Sequence, residues 1–321
     1  MDNLTHTLVG LMLSRAGLNR LHLRASAILI LAANVPDVDA VSVLGGAGTY
    51  FHYHRGITHA IAFAPVMALL PLLAVRIVSR KPIAWLSGYL LALAGVASHL
   101  MLDFTNIYGI RLFLPFSGAW PRLDITSVID PWIWSVLLLA VIGPLISRLV
   151  SSEIGGKSAN GRGGAIFALL FLVLYDGGRS MLHQRAVAVQ EARMYNGETP
   201  RHVAALPSVA NPMTWDGIVE TDSAFFVHPV NLAEEFDPAA GRVFYKTEDS
   251  AAAQAARATT AFQDLTAFAP FLFWQVTPSA EAENAVQVQA ADLRFGRPPE
   301  PRFVATAIVQ SGRILRSWFR F

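Results

Sequence analysis

The chain contains no cysteine among its 321 residues. A disulfide framework, a thiolate metal site and a cysteine nucleophile are therefore excluded. Charge is also scarce. Asp, Glu, Lys and Arg make up 15% of the residues, against about 25% in an ordinary soluble domain. Neither sign dominates: 25 basic and 23 acidic residues leave a net charge of +2, too balanced for a nucleic-acid partner. The opening "MDNLTHTLVG" has no basic segment ahead of a clean apolar core, so no cleavable signal peptide is expected. No internal repeat is visible.

Apolar residues are what the chain has in plenty, at 53%. Uncharged runs occupy 60–75, 82–98, 131–147 and 163–175. A spanning helix needs roughly 20 mostly apolar residues, a length the first three runs reach with their flanks. The fourth stops at Asp176 and reads as a weaker span. Ala25–Pro36 is shorter still, which suits a buried, re-entrant or barely spanning helix. The expected fold is a mainly α membrane domain, a helical bundle, over 1–182. A smaller soluble α+β accessory domain with an antiparallel sheet follows over 183–321. In that second part "SAFFVHPV", "GRVFYKT", "FLFWQVT", "AVQVQAADLRF" and the closing "RFVATAIVQSGRILRSWFRF" have strand character, and 251–268 reads as helix.

Basic residues set the expected orientation. The link at 76–81 carries Arg76, Arg80 and Lys81, and the link at 148–162 carries Arg148, Lys157 and Arg162. Both are expected in the cytoplasm. The longer 102–130 link, with only Arg111 and Arg122, is expected on the far side with the C-terminal part. Arg15, Arg20 and Arg24 pull the N-terminal segment toward the cytoplasm.

Within this charge-poor region, ionisable side chains gather in four places. They are "MDNLTH" (Asp2, His6), "NVPDVD" (Asp37, Asp39), "HYHRGITH" (His52, His54, His59) and "SHLMLDF" (His99, Asp103). His99 and Asp103 stand at i and i+4, on one face of a helix. His59 precedes one span and His99 and Asp103 end the next, so an antiparallel hairpin brings them together. Ionisable groups at such depth are costly and default to a functional role. Imidazole with carboxylate suits zinc, iron, manganese or nickel better than calcium. The expected metal ligands are His6, Asp37, Asp39, His54, His59, His99 and Asp103. Other polar residues have plainer readings: Asp2 as a helix N-cap, His52 and His183 as surface groups, Trp120, Trp132 and Trp134 as interfacial anchors.

"MDNLTHTLVGLML", "ANVPDVDAV", "HRGITHA" and "SHLMLDFTNIYGIRLFLPFS" together resemble the motifs of the membrane-bound, LexA-regulated, predicted metal-dependent hydrolases, the YdjM-like family. The resemblance covers about residues 1–135 and implies an inner-membrane hydrolase. A more distant similarity is to the zinc-dependent phospholipase C and single-strand nuclease fold. It implies ligands at His6, at Asp37 or Asp39, at His54 or His59, and at His99 and Asp103. Those enzymes supply further ligands after this point. Here the next histidine is His183, and Asp124 and Asp130 are the nearest substitutes, which points to one or two ions.

The expected function is that of a metal-dependent hydrolase at the outer face of a bacterial inner membrane. Zinc or another divalent metal would activate water against a phosphoester or lipid-linked substrate. Asp39 is expected as a ligand or general base, Arg55 as an oxyanion stabiliser, and Thr58 as an orienting group. The alternative is a structural metal site with a partner-binding C-terminal domain. The two short N-terminal segments are expected to form a helical hairpin. His6, and Asp37 or Asp39, would then lie within about 8 Å of His99, the spread of ligands around a small metal site.

Overall fold

The computed structural model describes residues 1–154, 160–247 and 249–321. Lys157, counted above in the 148–162 link, lies outside them. In chain order the helices are α1 (Asn3–Ala16), α2 (Ala25–Ala32), a 3-10 stretch (Val35–Gly45), α3 (Ala47–Tyr53), α4 (Ala64–Met67), α5 (Leu69–Ser79), α6 (Trp85–Thr105), α7 (Pro131–Ile154) and α8 (Arg162–Glu191). Among the described residues, Ile61–Ser79, Trp85–Thr105, Pro131–Val150 and Arg162–Glu191 are long and apolar enough to cross a membrane. The fourth corrects the sequence reading. α8 runs for 30 residues, straight through Asp176, because one carboxylate does not end a helix that contains no proline. Ile77, Val78, Leu139, Leu149, Phe167, Val173 and Leu174 are each more than 60% exposed. Such surfaces suit a lipid bilayer.

The chain forms two compact units. The first comprises Met1–Asp39, Arg55–Met181 and Ser208–Pro212, the second Ala40–His54, Leu182–Pro207 and Met213–Phe321. The sequence boundary at 182 is thus crossed: residues 40–54, read as part of the membrane domain, cluster with the second unit. Phe51 explains why. Its ring lies face to face on Phe319 at 4.2 Å and edge-on to Phe268 at 5.2 Å, so α3 is anchored in an aromatic core.

In the first unit, α1 and α2 form the short helical hairpin expected from their length. Asp2 caps α1 by accepting from the Leu4 and Thr5 amides, as the sequence suggested. α2 buries one face, with Ile28, Leu29 and Ala32 at 0% exposure, and the chain bends by 43° where it passes into the 3-10 stretch. At the hairpin tip, Arg162 Nε donates to Ala16 O and Arg24 donates to Pro82 O. The tip therefore sits beside both basic links, so Arg15, Arg20 and Arg24 keep company with the other cations.

The second unit holds two four-stranded antiparallel sheets rather than one. The first is ordered β1 (His202–Pro207), β2 (Thr214–Glu220), β3 (Ala224–Asn231), β4 (Arg242–Tyr245). The second is ordered β5 (Leu272–Pro278), β6 (Ala285–Asp292), β7 (Val304–Gln310), β8 (Arg313–Arg320). The helical stretch at 251–268 divides into α9 (Ala251–Arg257) and α10 (Thr260–Phe268). β1 and β2 have no counterpart in the sequence reading. "HVAALP" has one β-branched residue and "TWDGIVE" carries Asp216 and Gly217, all weak strand signals.

His228 on β3 gives this unit an acid sensitivity. It is buried opposite Gly217 of β2, and its Nε2 meets Gln190 Oε1 at 3.0 Å. Burial, reinforced by Arg297, pushes its imidazole down to about 4. The unfolded chain, titrating near 6.5, binds more protons between those values. Stability is thus complete above about pH 6.5 and falls as pH drops toward 4. Denaturation followed by near-ultraviolet dichroism is expected to show that slope, and a His228→Gln variant to flatten it.

Candidate metal centre

The helices place four donors at one point. His59 ends a single 3-10 turn (Ile57–His59) just ahead of the first span. His99 and Asp103 occupy the last turns of α6. α5 and α6 form the antiparallel hairpin that returns the chain to the same end, as the spacing required. Asp37 enters from the 3-10 stretch after α2. Asp37, His59, His99 and Asp103 each offer an atom within 4.8 Å of all the others. His59, His99 and Asp103 are fully buried, while the Asp37 side chain keeps 12% exposure.

Hydrogen bonds fix both imidazole tautomers. His99 Nδ1 donates to the Ala33 carbonyl at 2.8 Å. Thr58 gives its hydroxyl proton to Asp39 Oδ2 at 2.7 Å and so accepts from His59 Nδ1 at 3.0 Å. The two Nε2 atoms therefore both carry lone pairs, and they face each other at 3.1 Å. Two carboxylate oxygens complete the ring. His59 Nε2 is 3.5 Å from Asp37 Oδ1 and 3.5 Å from Asp103 Oδ2, and His99 Nε2 is 3.7 and 3.4 Å from the same atoms. Four converging lone pairs repel one another unless a cation lies between them. Donors held tetrahedrally at about 2.0–2.1 Å from zinc stand ~3.3 Å apart. The edges of 3.1–3.7 Å match that spacing, so these residues fit a divalent ion.

The two oxygens of Asp103 have different surroundings. Oδ2 faces the imidazoles and has no hydrogen-bond partner among the described residues. Oδ1 is surrounded by donors, the Met1 amino group, Arg55 at 3.1 Å and Asn106 Nδ2 at 3.4 Å, and His6 Nε2 lies 3.4 Å away without a hydrogen bond to it. Arg55 also donates to Asn106 Oδ1 and Gly109 O, and lies over the Tyr108 ring. Its backbone amide donates to Asp39 Oδ2 at 2.8 Å, in a left-handed conformation with φ 54°. Its contacts make Arg55 a positioning residue for Asp103, a different place from the oxyanion site the sequence suggested. Arg55→Met is expected to weaken metal binding by about 10–100-fold, the usual cost of losing an outer partner, with Arg55→Lys recovering part of it. Calorimetric metal titration checks this.

The other expected ligands are distributed around this centre. The His6 ring stacks on His99 at 3.9 Å, inside the expected distance, yet its nearest carboxylate oxygen is the outward Oδ1. Asp39 stands behind His59, with its Oδ2 3.3 Å from Nδ1, and orients that ring. Thr58 takes the orienting role expected of it. His54 belongs to the second unit, where its ring stacks on Tyr50 at 4.5 Å. Asp124 and Asp130 do not substitute for the later ligands. Asp124 pairs with Arg122 at 2.9 Å, and Asp130 caps α7 and accepts from Tyr175. Asn106, fully buried, was missed, since an asparagine three residues past an aspartate carries no signal in sequence.

A family model described as YdjM inner membrane protein matches residues 1–186, the stretch that contains every residue of this centre. An uncharacterized protein of Bacillus subtilis (strain 168), YfhP, is 29% identical over 149 residues, 44% of this chain and 45% of that protein. The chain thus spans less than half the length of that relative. No solved structure matches. With the family model covering more than half of its length and four helices able to span a membrane, this chain belongs to the YdjM inner membrane protein family.

Proposed function

We propose that this protein is a metal-dependent hydrolase of the inner membrane that acts on lipid-linked substrates, with a phosphoester as the bond cleaved. The observation that carries this reading is the cleft at Asp37. It measures about 420 Å³ and is walled by Leu31, Val35, Val38, Leu70, Pro71 and Ala74, with Asn3 and Asn34 as polar neighbours. Asp37 is also the donor that keeps some exposure. An apolar chain lying along the span at Leu70–Ala74 would bring its head group to the half-open side of the centre. Asp37, His59, His99 and Asp103 would hold one divalent ion, zinc being the ion their spacing suits.

Bound there, the ion would supply Lewis acidity and a lowered water pKa. The protein's own residues do the rest. Thr58 and Asp39 keep His59 in the tautomer that offers Nε2. The Ala33 carbonyl does the same for His99. Arg55 and Asn106 hold Asp103 by one oxygen. The phosphoester is proposed from the distant similarity of the order Asp37, His59, His99, Asp103 to the zinc phospholipase pattern. A structural metal centre is the second reading, favoured by the full burial of three donors.

The test is metal analysis of purified protein coupled to hydrolysis assays on phospholipids and soluble phosphodiesters. One bound divalent ion with turnover of the lipid substrate is expected. Bound metal without hydrolysis of either class would favour the structural reading. The site is further proposed to open on the outer side. The chain's lack of cysteine makes the check simple: an impermeant thiol reagent added outside should label Ser117→Cys and spare Ser79→Cys.

A further inference from the structure

A second cleft, of about 430 Å³, lies within the second unit and is formed by α3, α10 and β8. This volume falls in the range of small-molecule sites. His52 and Asp264 meet on its wall, brought together from positions 212 residues apart in the chain. His52 Nδ1 is 2.9 and 3.0 Å from the two Asp264 oxygens, so the carboxylate accepts from Nδ1 and fixes the ring, leaving Nε2 free to bond a ligand. Thr260 and Ser317 add hydroxyls, and Tyr53 and Trp318 add aromatic rings. Tyr53 is 58% exposed, so its ring is open to a ligand in the cleft.

The lining restricts the ligand. No lysine or arginine lines the cleft, so an anion would face Asp264 without a counter-charge. Arg316, which lies over Trp318 at 4.2 Å, is paired with Glu281 at 2.8 Å. A cation would find one carboxylate on the wall, already paired with His52, although each of its oxygens keeps a lone pair for a hydroxyl. A hydrocarbon chain would strip water from several hydroxyls without replacing their hydrogen bonds. What remains is a neutral ligand with many hydroxyls and an apolar ring face. We infer that this cleft binds a neutral saccharide unit, its hydroxyls bonded by His52, Asp264, Thr260 and Ser317 and its ring face lying on Tyr53 or Trp318. The inference is independent of the hydrolase reading and of the metal.

The test uses the full chain in lipid nanodiscs, free of sugar-headed detergent. Glucose, N-acetylglucosamine and chitobiose are the probes, followed by saturation-transfer NMR. Glucose 6-phosphate and tetramethylammonium stand for the excluded classes. At least one neutral sugar should bind saturably. Tyr53→Ala and Asp264→Asn should each weaken it by about tenfold or more, as loss of a central contact does. Tyr53 is exposed, so its truncation leaves the core intact, and an unchanged thermal transition verifies this. Absence of saturable binding by every neutral sugar overturns the inference. So does tighter binding of the phosphate or the ammonium ion, or an unchanged affinity in both folded variants.

Discussion

His99→Ala and Asp103→Ala are each expected to strip the metal from the purified protein and abolish hydrolysis. Each removes one of four donors whose atoms stand 3.1–3.7 Å apart. The loss should exceed the roughly 100-fold that outer partners such as Thr58 can cost. The effect extends to stability. Without a cation, the two Nε2 lone pairs and two carboxylates confront one another in a fully buried place. A chelator should therefore lower the unfolding temperature of the wild type, since a ligand that binds only the folded state stabilises it by mass action. In His99→Ala the repulsion is already relieved, so the chelator should shift the transition much less. Inductively coupled plasma mass spectrometry reads the occupancy, and calorimetry reads the transition. Full occupancy in both variants would exclude them as ligands.

The centre was legible in sequence wherever spacing alone carried it. His99 and Asp103 four apart, and His59 one hairpin away, needed only helical periodicity and an antiparallel turn. Asp39, Arg55 and His6 were found as members of the cluster, but sequence gave no way to rank them around the ion. That ranking depends on hydrogen bonds across elements, such as Arg55 to Asp103 and Thr58 to Asp39. The basic residues of 15–24 and a ligand-side His6 stand at opposite ends of α1, ten residues or about 15 Å apart at 1.5 Å per residue, and Ala16 O at the far end accepts from Arg162. The excursion of 40–54 into the second unit was illegible, because it is held by long-range contacts of a few side chains, Phe51 with Phe268 and Phe319 and His52 with Asp264.

Gly95→Val is the substitution outside the donor set expected to do most damage. α2 lies between α1 and α6, and a glycine on each neighbour makes room for it. A Cβ at Gly95 would stand 2.6 Å from Ala32 Cβ and 3.1 Å from Leu29 O, and one at Gly10 2.8 Å from the same Leu29 O. Real Cβ atoms do not approach backbone so closely, so α2 must move. Gly95 lies one turn before His99, and Gly10 one turn after His6, so the two clamps sit directly beside the stacked imidazoles. Displacing α2 lengthens the Ala33 O contact that fixes the His99 tautomer, and it shifts Asp37, which follows α2. Overpacking against backbone costs about 1–3 kcal/mol, with the upper end expected here because helix backbone cannot yield like a side chain. Metal affinity should fall with it by about tenfold, the equivalent of 1.4 kcal/mol. Gly95→Ala should show a smaller version of both effects, and adding Ala32→Gly should restore part of the loss by removing the closest contact. Gly143→Ala on α7, where an added Cβ meets nothing within 4 Å, is the control: it should leave metal affinity unchanged and not lower the unfolding temperature. Unfolding temperature and metal titration across this series decide the matter: a Gly95→Val protein as stable and as metal-loaded as wild type would mean that α2 is not held by its neighbours' glycines.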